Sequence, residues 1–160
     1  MSGRVGVGYD VHRFAEGRRL VLGGVLIDHP RGLEGHSDAD ALTHAVIDAL
    51  LGAAALDDIG THFPDSDERW RDAHSLDLLR ATAALLADNG WRVANVDATV
   101  VIERPRLAPH REAMRGRLAT ALGTDADRVS VKATRGEGLG FVGREEGVAV
   151  MAVALVEPAR

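Results

Sequence analysis

At 160 residues the chain has room for one compact domain with one sizeable core, not two. Apolar residues make up 46% and charged residues 27%, which excludes a disordered chain, and 4% aromatics leave the core to Val, Leu, Ile and Ala. The net charge of −5 excludes a broad basic surface for nucleic acid or an anionic membrane; the lack of cysteine excludes disulfides, thiolate metal sites and a thiol nucleophile. Any metal must therefore be held by His, Asp or Glu.

The first residues carry no apolar signal core, and the longest apolar run, Val148 to Val156, is too short to cross a bilayer. A cytoplasmic protein is expected. Its bases are nearly all arginine, with Lys132 the single lysine, a bias typical of a GC-rich genome.

Arg4 to His12 alternates and reads as a strand. Leu20–Leu22 and Val25–Ile27 flank Gly23-Gly24, a two-residue hairpin signal. Ser37, with Asp40 three residues on, resembles a capping box; Leu42, Ala45, Val46, Ala49, Leu50 and Ala53 then form an apolar helical stripe. Residues 57 to 71 lack periodicity and read as a loop. A second helix is expected from about Ser75 to Asp88, stopped by Asn89-Gly90. Trp91 to Ile102 reads as a long strand, and Pro109 starts a third helix ending at Gly123. Val129 to Thr134 is a strand leading into a loop with Gly136, Gly138, Gly140 and Gly143. Val148 to Val156 is apolar at nearly every position, so both its faces are expected to be covered. Together these elements predict a single α+β domain: a mixed four-stranded sheet with helices on one face, plus a small β-hairpin.

Side chains two apart on a strand share a face, so Asp10 and His12 can converge on one ion while Val11 faces the core. His44, at the edge of the first helix's stripe, can join them, with Asp40 or Asp48 one turn away to orient its imidazole. Such an N₂O set with an open position suits catalytic zinc, and also accepts manganese or cobalt. Ser37 and Asp38 are equally readable as a helix cap and acidic first turn. Asp58-Ile59-Gly60 and Phe63 to Asp67 form an acidic stretch with an apolar anchor. Lys132 to Glu137 enters the Gly-rich turn, whose backbone can approach a phosphate closely.

In this order the chain carries Gly8-Tyr9-Asp10-Val11-His12, Gly35-His36-Ser37-Asp38-Ala39-Asp40, His44-Ala45, Asp48-Ala49-Leu50-Leu51-Gly52-Ala53, Asp58-Ile59-Gly60, Phe63-Pro64-Asp65, Val131-Lys132-Ala133-Thr134 and Gly140-Phe141-x-Gly143-Arg144-x-Glu146-Gly147. Over residues 4 to about 156 it closely resembles the 2-C-methyl-D-erythritol 2,4-cyclodiphosphate synthase family.

The resemblance implies a homotrimer with active sites between subunits. It implies cyclisation of 4-diphosphocytidyl-2-C-methyl-D-erythritol 2-phosphate with loss of CMP, in the non-mevalonate route to isoprenoids. Asp10, His12 and His44 would hold zinc, and Glu137 would lie by magnesium or manganese. His36, Thr134 and Arg135 take catalytic positions. Asp10, His12, His36, Ser37, Asp58, Ile59, Gly60, Phe63, Asp65, Asp67, Ala133, Thr134, Arg135 and Glu137 would surround the substrate, with Ile102, Arg106, Leu107 and Ala108 at its cytidine. Phe141 and Arg144 would border a central cavity able to hold an isoprenoid diphosphate. The family's usual Thr-Thr-Glu-Lys is here Arg135-Gly136-Glu137-Gly138, and Asp57 replaces a glycine. Arg135 is expected either to donate to a phosphate or to point into solvent. Besides the cyclase, a metal-dependent phosphohydrolase and a non-catalytic isoprenoid-diphosphate sensor remain compatible with these residues.

Overall fold

The structure, a computed structural model, describes residues 2–160. In chain order it contains β1 (Arg4–Ala15), β2 (Leu20–Leu22), β3 (Val25–Ile27), β4 (Gly32–Leu33), α1 (Ala41–Ala54), α2 (Ile59–His62), α3 (Ser75–Asp88), β5 (Trp91–Val101), α4 (Arg111–Leu122), β6 (Val129–Thr134), α5 (Gly140–Gly143) and β7 (Gly147–Pro158). The four long strands lie in the order β1-β7-β5-β6, with β5 and β6 parallel and the other pairs antiparallel. This is the expected mixed sheet with one addition. β1 runs past His12, and its Phe14 and Ala15 pair with Leu33 and Gly32 of β4, a short fifth strand at the edge. β2 and β3 form the separate hairpin.

Period-2 alternation assigns the faces of β1. Gly6, Gly8 and Phe14 are buried toward the helices, whereas Val5, Val7, Tyr9 and Val11 are exposed on the other face. Val11 therefore does not face the core as expected: the helix side of β1 is the side of its glycines, Asp10 and His12. β7 differs from expectation in the same way. Val148, Val150, Ala152, Ala154 and Val156 are buried, but Met151 and Val153 are about half exposed beside Val7 and Tyr9. Among the described residues helices cover one face of the sheet, and a continuous apolar strip is left bare on the other.

The two glycines of β1 set the spacing of its layer. A Cβ at Gly8 would sit 1.9 Å from the carbonyl oxygen of Ala45, and one at Gly6 2.1 Å from that of Ala49. No side chain fits there, so α1 rests backbone to backbone on β1. Nearly every residue of α1 is buried, between the sheet and α3, as a helix apolar on all sides requires.

The cap of α1 is Asp40, not Ser37. Ala39 adopts a left-handed φ of 57°, which delays the helix until after Asp40. The Asp40 carboxylate accepts from Thr43 N (2.9 Å) and Thr43 Oγ1 (2.8 Å), and also from Gly23 N (2.9 Å) and Gly24 N (2.7 Å) of the hairpin turn. One buried acid thus fixes both the start of α1 and the β2–β3 turn. Residues 57 to 71 are also more ordered than their lack of periodicity predicted. Asp58 caps the single turn α2, and Asp67 caps a 3₁₀ turn over Glu68–Trp70. Short Asx caps, rather than an apolar stripe, generate this structure.

Gly8→Ala is expected to lower stability by about 3 kcal/mol in urea unfolding, because the methyl collides with backbone that cannot yield. Gly52→Ala, where the new Cβ would lie 4.0 Å from the Val7 carbonyl oxygen, is expected to raise it by up to about 1 kcal/mol through helix propensity.

Candidate active site

Asp10 and His12 project from the helix side of β1, and the close β1–α1 contact brings His44 over them. Asp10 Oδ2 lies 2.9 Å from His12 Nε2 and 3.3 Å from His44 Nδ1. One donor atom from each of the three falls within 4.8 Å of the others. Burial works against ionising Asp10, but the two facing imidazoles prevail and hold its carboxyl below the ordinary range. Burial likewise opposes a charge on His12, and Asp10 outweighs it, raising that imidazole above its usual value.

The outer nitrogens are fixed by their neighbours. His12 Nδ1 is 2.7 Å from the Glu34 carbonyl oxygen. A carbonyl can only accept, so Nδ1 carries hydrogen and Nε2 is the nitrogen turned to Asp10. His44 Nε2 is 2.8 Å from Ser75 Oγ and 3.2 Å from Ser37 Oγ. Neither Asp40 nor Asp48 orients His44 as expected: Asp40 is committed to the hairpin, and Asp48 accepts from Ile59 N at 3.0 Å. Ser75 carried no sequence signal for this role, since only the packing of α3 against α1 brings it to His44. Asp10 Oδ2 is buried with no hydrogen-bond partner. A divalent cation among the three donors would satisfy that oxygen, and two imidazole nitrogens with one carboxylate suit zinc while leaving a coordination position open.

The acidic stretch is tied to His36. His36 Nε2 is 3.4 Å from the Asp67 carbonyl oxygen, and Asp72 N donates to the His36 carbonyl at 3.0 Å. Phe63 packs edge-on to Trp70, with centroids 5.2 Å apart. Asp58 spends one oxygen on Thr61, Asp67 is clasped by Arg69, and Asp65 is exposed. Ile59 and Gly60 form α2.

The remaining candidates lie on β6, after β5 and after β6. The strand register aligns Asp10 with Val150, Val150 with Val100 and Val100 with Ala133. Ala133 and Thr134 thus share the sheet end of Asp10 but stand three strand spacings away, roughly 14 Å. Ile102 and Leu107 are buried in the core, while Arg106 and Ala108 are exposed. Glu137 is exposed with φ 53°. Phe141 is partly exposed on α5, and Arg144 pairs with Glu146 at 3.1 Å.

Arg135 stays largely exposed, and its guanidinium is anchored on one side. Its guanidinium donates to Glu103 Oε1 at 2.8 Å, while the other carboxylate oxygen accepts from Gly136 N at 2.8 Å. Burial opposes the charge on Glu103, but these donors outweigh it and hold its carboxyl below the usual range. Glu103 went unnoticed in the sequence. The β5–β6 register, pairing Val101 with Thr134, is what carries the segments after the two strands to the same place.

A family model described as the YgbB family matches residues 3–157. The chain belongs to this family. YgbB relatives include a 2-C-methyl-D-erythritol 2,4-cyclodiphosphate synthase of Syntrophomonas wolfei, 62% identical over 98% of this chain and 99% of that protein. Among solved structures, the bifunctional IspDF of Campylobacter jejuni superposes with a TM-score of 0.95 at 41% identity, over 98% of this chain and 42% of that longer one. The Plasmodium falciparum IspF–CDP complex gives 0.86 at 31% identity, over 99% and 98% of the two chains. Membership makes this chain an enzyme of the cyclodiphosphate synthase type, with an Asp10-His12-His44 group able to hold a metal ion.

Two outcomes are expected. Dialysis against zinc should load one tight ion per chain, and His44→Ala, still folded by circular dichroism, should lose it. Glu103 accepts at full strength on both oxygens only while ionised; its lowered pKa keeps that anchor intact at neutral pH, and the anchor weakens as pH falls through the depressed value and one oxygen becomes a hydroxyl. In Glu103→Ala the Gly136 amide should therefore lose its protection from hydrogen exchange at neutral pH; unchanged protection would show that the turn is held by something else.

Proposed function

We propose that the chain is a metal-dependent cyclase. It converts 4-diphosphocytidyl-2-C-methyl-D-erythritol 2-phosphate to 2-C-methyl-D-erythritol 2,4-cyclodiphosphate and CMP, a phosphorus–oxygen lyase step of the non-mevalonate pathway. The observation that carries this reading is the convergence of Asp10, His12 and His44 on the orphaned Asp10 Oδ2, in a chain closely related throughout its length to synthases of this name.

In the reaction an oxygen of the 2-phosphate bonds to the β-phosphorus while that phosphorus's bond to the oxygen bridging to the α-phosphate breaks. CMP leaves with the bond's electron pair, and the nucleophile, already ionised, needs no general base. Asp10, His12 and His44 would hold zinc, manganese or cobalt, and Glu137 magnesium or manganese. Bound cations supply neutralisation of the phosphoryl charge and alignment of attacking and leaving oxygens. The chain's own groups position the substrate. The His36 imidazole and Thr134 hydroxyl would donate to the transferring phosphate. Asp58, Ile59 and Gly60 would hold the methylerythritol hydroxyls, beside Ser37, Phe63, Asp65 and Asp67, and the backbone from Ile102 to Ala108 with Arg106 would receive the cytidine. CDP is bound in the Plasmodium falciparum complex, which supports a cytidine-linked substrate. With Arg135 tied to Glu103, its share is to hold the turn that presents Thr134 and Glu137.

One diphosphate cannot contact both Asp10 and the Thr134–Glu137 segment of a single chain if they lie some 14 Å apart. The reading therefore includes a homotrimer, in which the segment after β6 of one subunit meets the β1–α1 cluster of its neighbour. The bare strip of Val7, Tyr9, Val11, Met151 and Val153 is the apolar surface such an assembly would cover, with Phe141 and Arg144 at its central cavity.

Purified protein given the cytidylyl substrate and magnesium should release CMP and the cyclic diphosphate in equal amounts. CMP with a linear diphosphate would instead establish a phosphohydrolase, and no turnover, with an isoprenoid diphosphate still bound, a sensor. Either result overturns the cyclase.

A further inference from the structure

The nitrogen of His44 directed away from Asp10 opens a chain of hydrogen bonds that crosses from α1 to α3 and ends on a carboxylate. His44 Nε2 meets Ser75 Oγ at 2.8 Å, and Ser75 Oγ makes a short hydrogen bond to Asp38 Oδ1. The other Asp38 oxygen accepts from Ser75 N at 3.0 Å, and Asp38 N donates to the Ala73 carbonyl at 3.1 Å. Ser75 is fully buried, so water cannot replace any of these partners.

The direction of the chain follows from what each group can do. Ionised, Asp38 only accepts, so the single Ser75 hydroxyl hydrogen points to it. The oxygen of Ser75 then has only lone pairs for His44 and must accept from Nε2–H. A neutral imidazole with hydrogen on Nε2 has its free lone pair on Nδ1, the nitrogen 3.3 Å from Asp10 Oδ2. Ser37 Oγ reaches the same nitrogen from 3.2 Å, but it also accepts from Ala39 N at 3.2 Å, and no carboxylate stands behind it.

We infer that Asp38 and Ser75 are positioning residues for the metal centre: they fix the His44 tautomer with Nδ1 open and, through the carboxylate, make that nitrogen a stronger donor. The inference rests on reading Asp10, His12 and His44 as metal ligands, but not on the cyclisation chemistry. Asp38 lies before the Asp40 cap and outside the first turn of α1, so its carboxylate is left for this role rather than for capping. It also explains why the fold ties the start of α3 to the turn before α1, since that tie delivers Ser75 to His44.

Asp38→Asn keeps the shape but not the direction. Its amide nitrogen must face either Ser75 Oγ or the Ser75 N–H. The first reverses the relay and puts the His44 proton on the metal-facing nitrogen; the second sets two donors against each other. Zinc affinity, measured without substrate by competition with a chromogenic chelator, should fall at least about tenfold in Asp38→Asn and in Ser75→Ala, the usual cost of losing a ligand's outer partner. Ser37→Ala should change it less than Ser75→Ala. Affinities within twofold of wild type in folded Asp38→Asn and Ser75→Ala would overturn the inference. Should either variant fail to fold, nitrogen-15 spectra of the zinc-loaded wild type decide. His44 bound through Nδ1, with an Nε2–H protected from water, is the expected result, and binding through Nε2 or a freely exchanging proton would overturn it. Wild-type protein that binds no zinc would overturn the metal reading itself, whereas zinc binding without turnover would overturn only the cyclase.

Discussion

Where β1 and α1 touch, Gly6 and Gly8 present hydrogen atoms to the carbonyl oxygens of Ala49 and Ala45. Any larger residue there would push the helix outward by more than the slack in a metal coordination sphere, and His44 rides on that helix one residue before Ala45. The glycines thus determine both the packing of the buried layer and the reach of a side chain across it. Asp40 makes the matching adjustment lengthwise: by capping α1 and gripping Gly23 and Gly24 at once, it fixes where the helix begins and so how far along β1 His44 falls.

With that spacing set, the polar cluster behaves as one network. Asp10 faces two imidazoles, and each imidazole is held from behind by something that tells its nitrogens apart, a carbonyl for His12 and a carboxylate-backed hydroxyl for His44. An unpartnered buried carboxylate oxygen is costly in a finished fold. Its presence at the meeting point of three ligand-type atoms, in a chain of this family, gives the site its meaning. The second group of residues, after β5 and β6, is built by different means. There a buried acid, Glu103, clamps a glycine turn through Arg135 and Gly136, and the turn lies at the same end of the sheet but well away from Asp10.

Local pattern made part of this legible. Alternation found β1, β5 and β7, helical stripes found α1 and α3, and Pro109 with Gly123 bracketed α4. Side-chain parity paired Asp10 with His12. Parity does not say which face is the core, however: a valine looks more buried than a glycine, yet Val11 is exposed and the helix side belongs to Gly6 and Gly8. The apolar run of β7 hides its faces for a related reason: Met151 and Val153 suit burial, yet none of the described residues covers them. Ser75 and Glu103 were out of reach altogether. Each acts on a residue more than thirty positions away, and only the docking of α3 and the register of β6 create those contacts.

The central claim is that Asp10, His12 and His44 hold a divalent cation through three particular atoms. Anomalous diffraction at the zinc absorption edge, from crystals grown with zinc, tests it most directly. The account predicts one peak per chain, bonded to Asp10 Oδ2, His12 Nε2 and His44 Nδ1. No peak at that point, or coordination through the opposite nitrogen of either histidine, would contradict it.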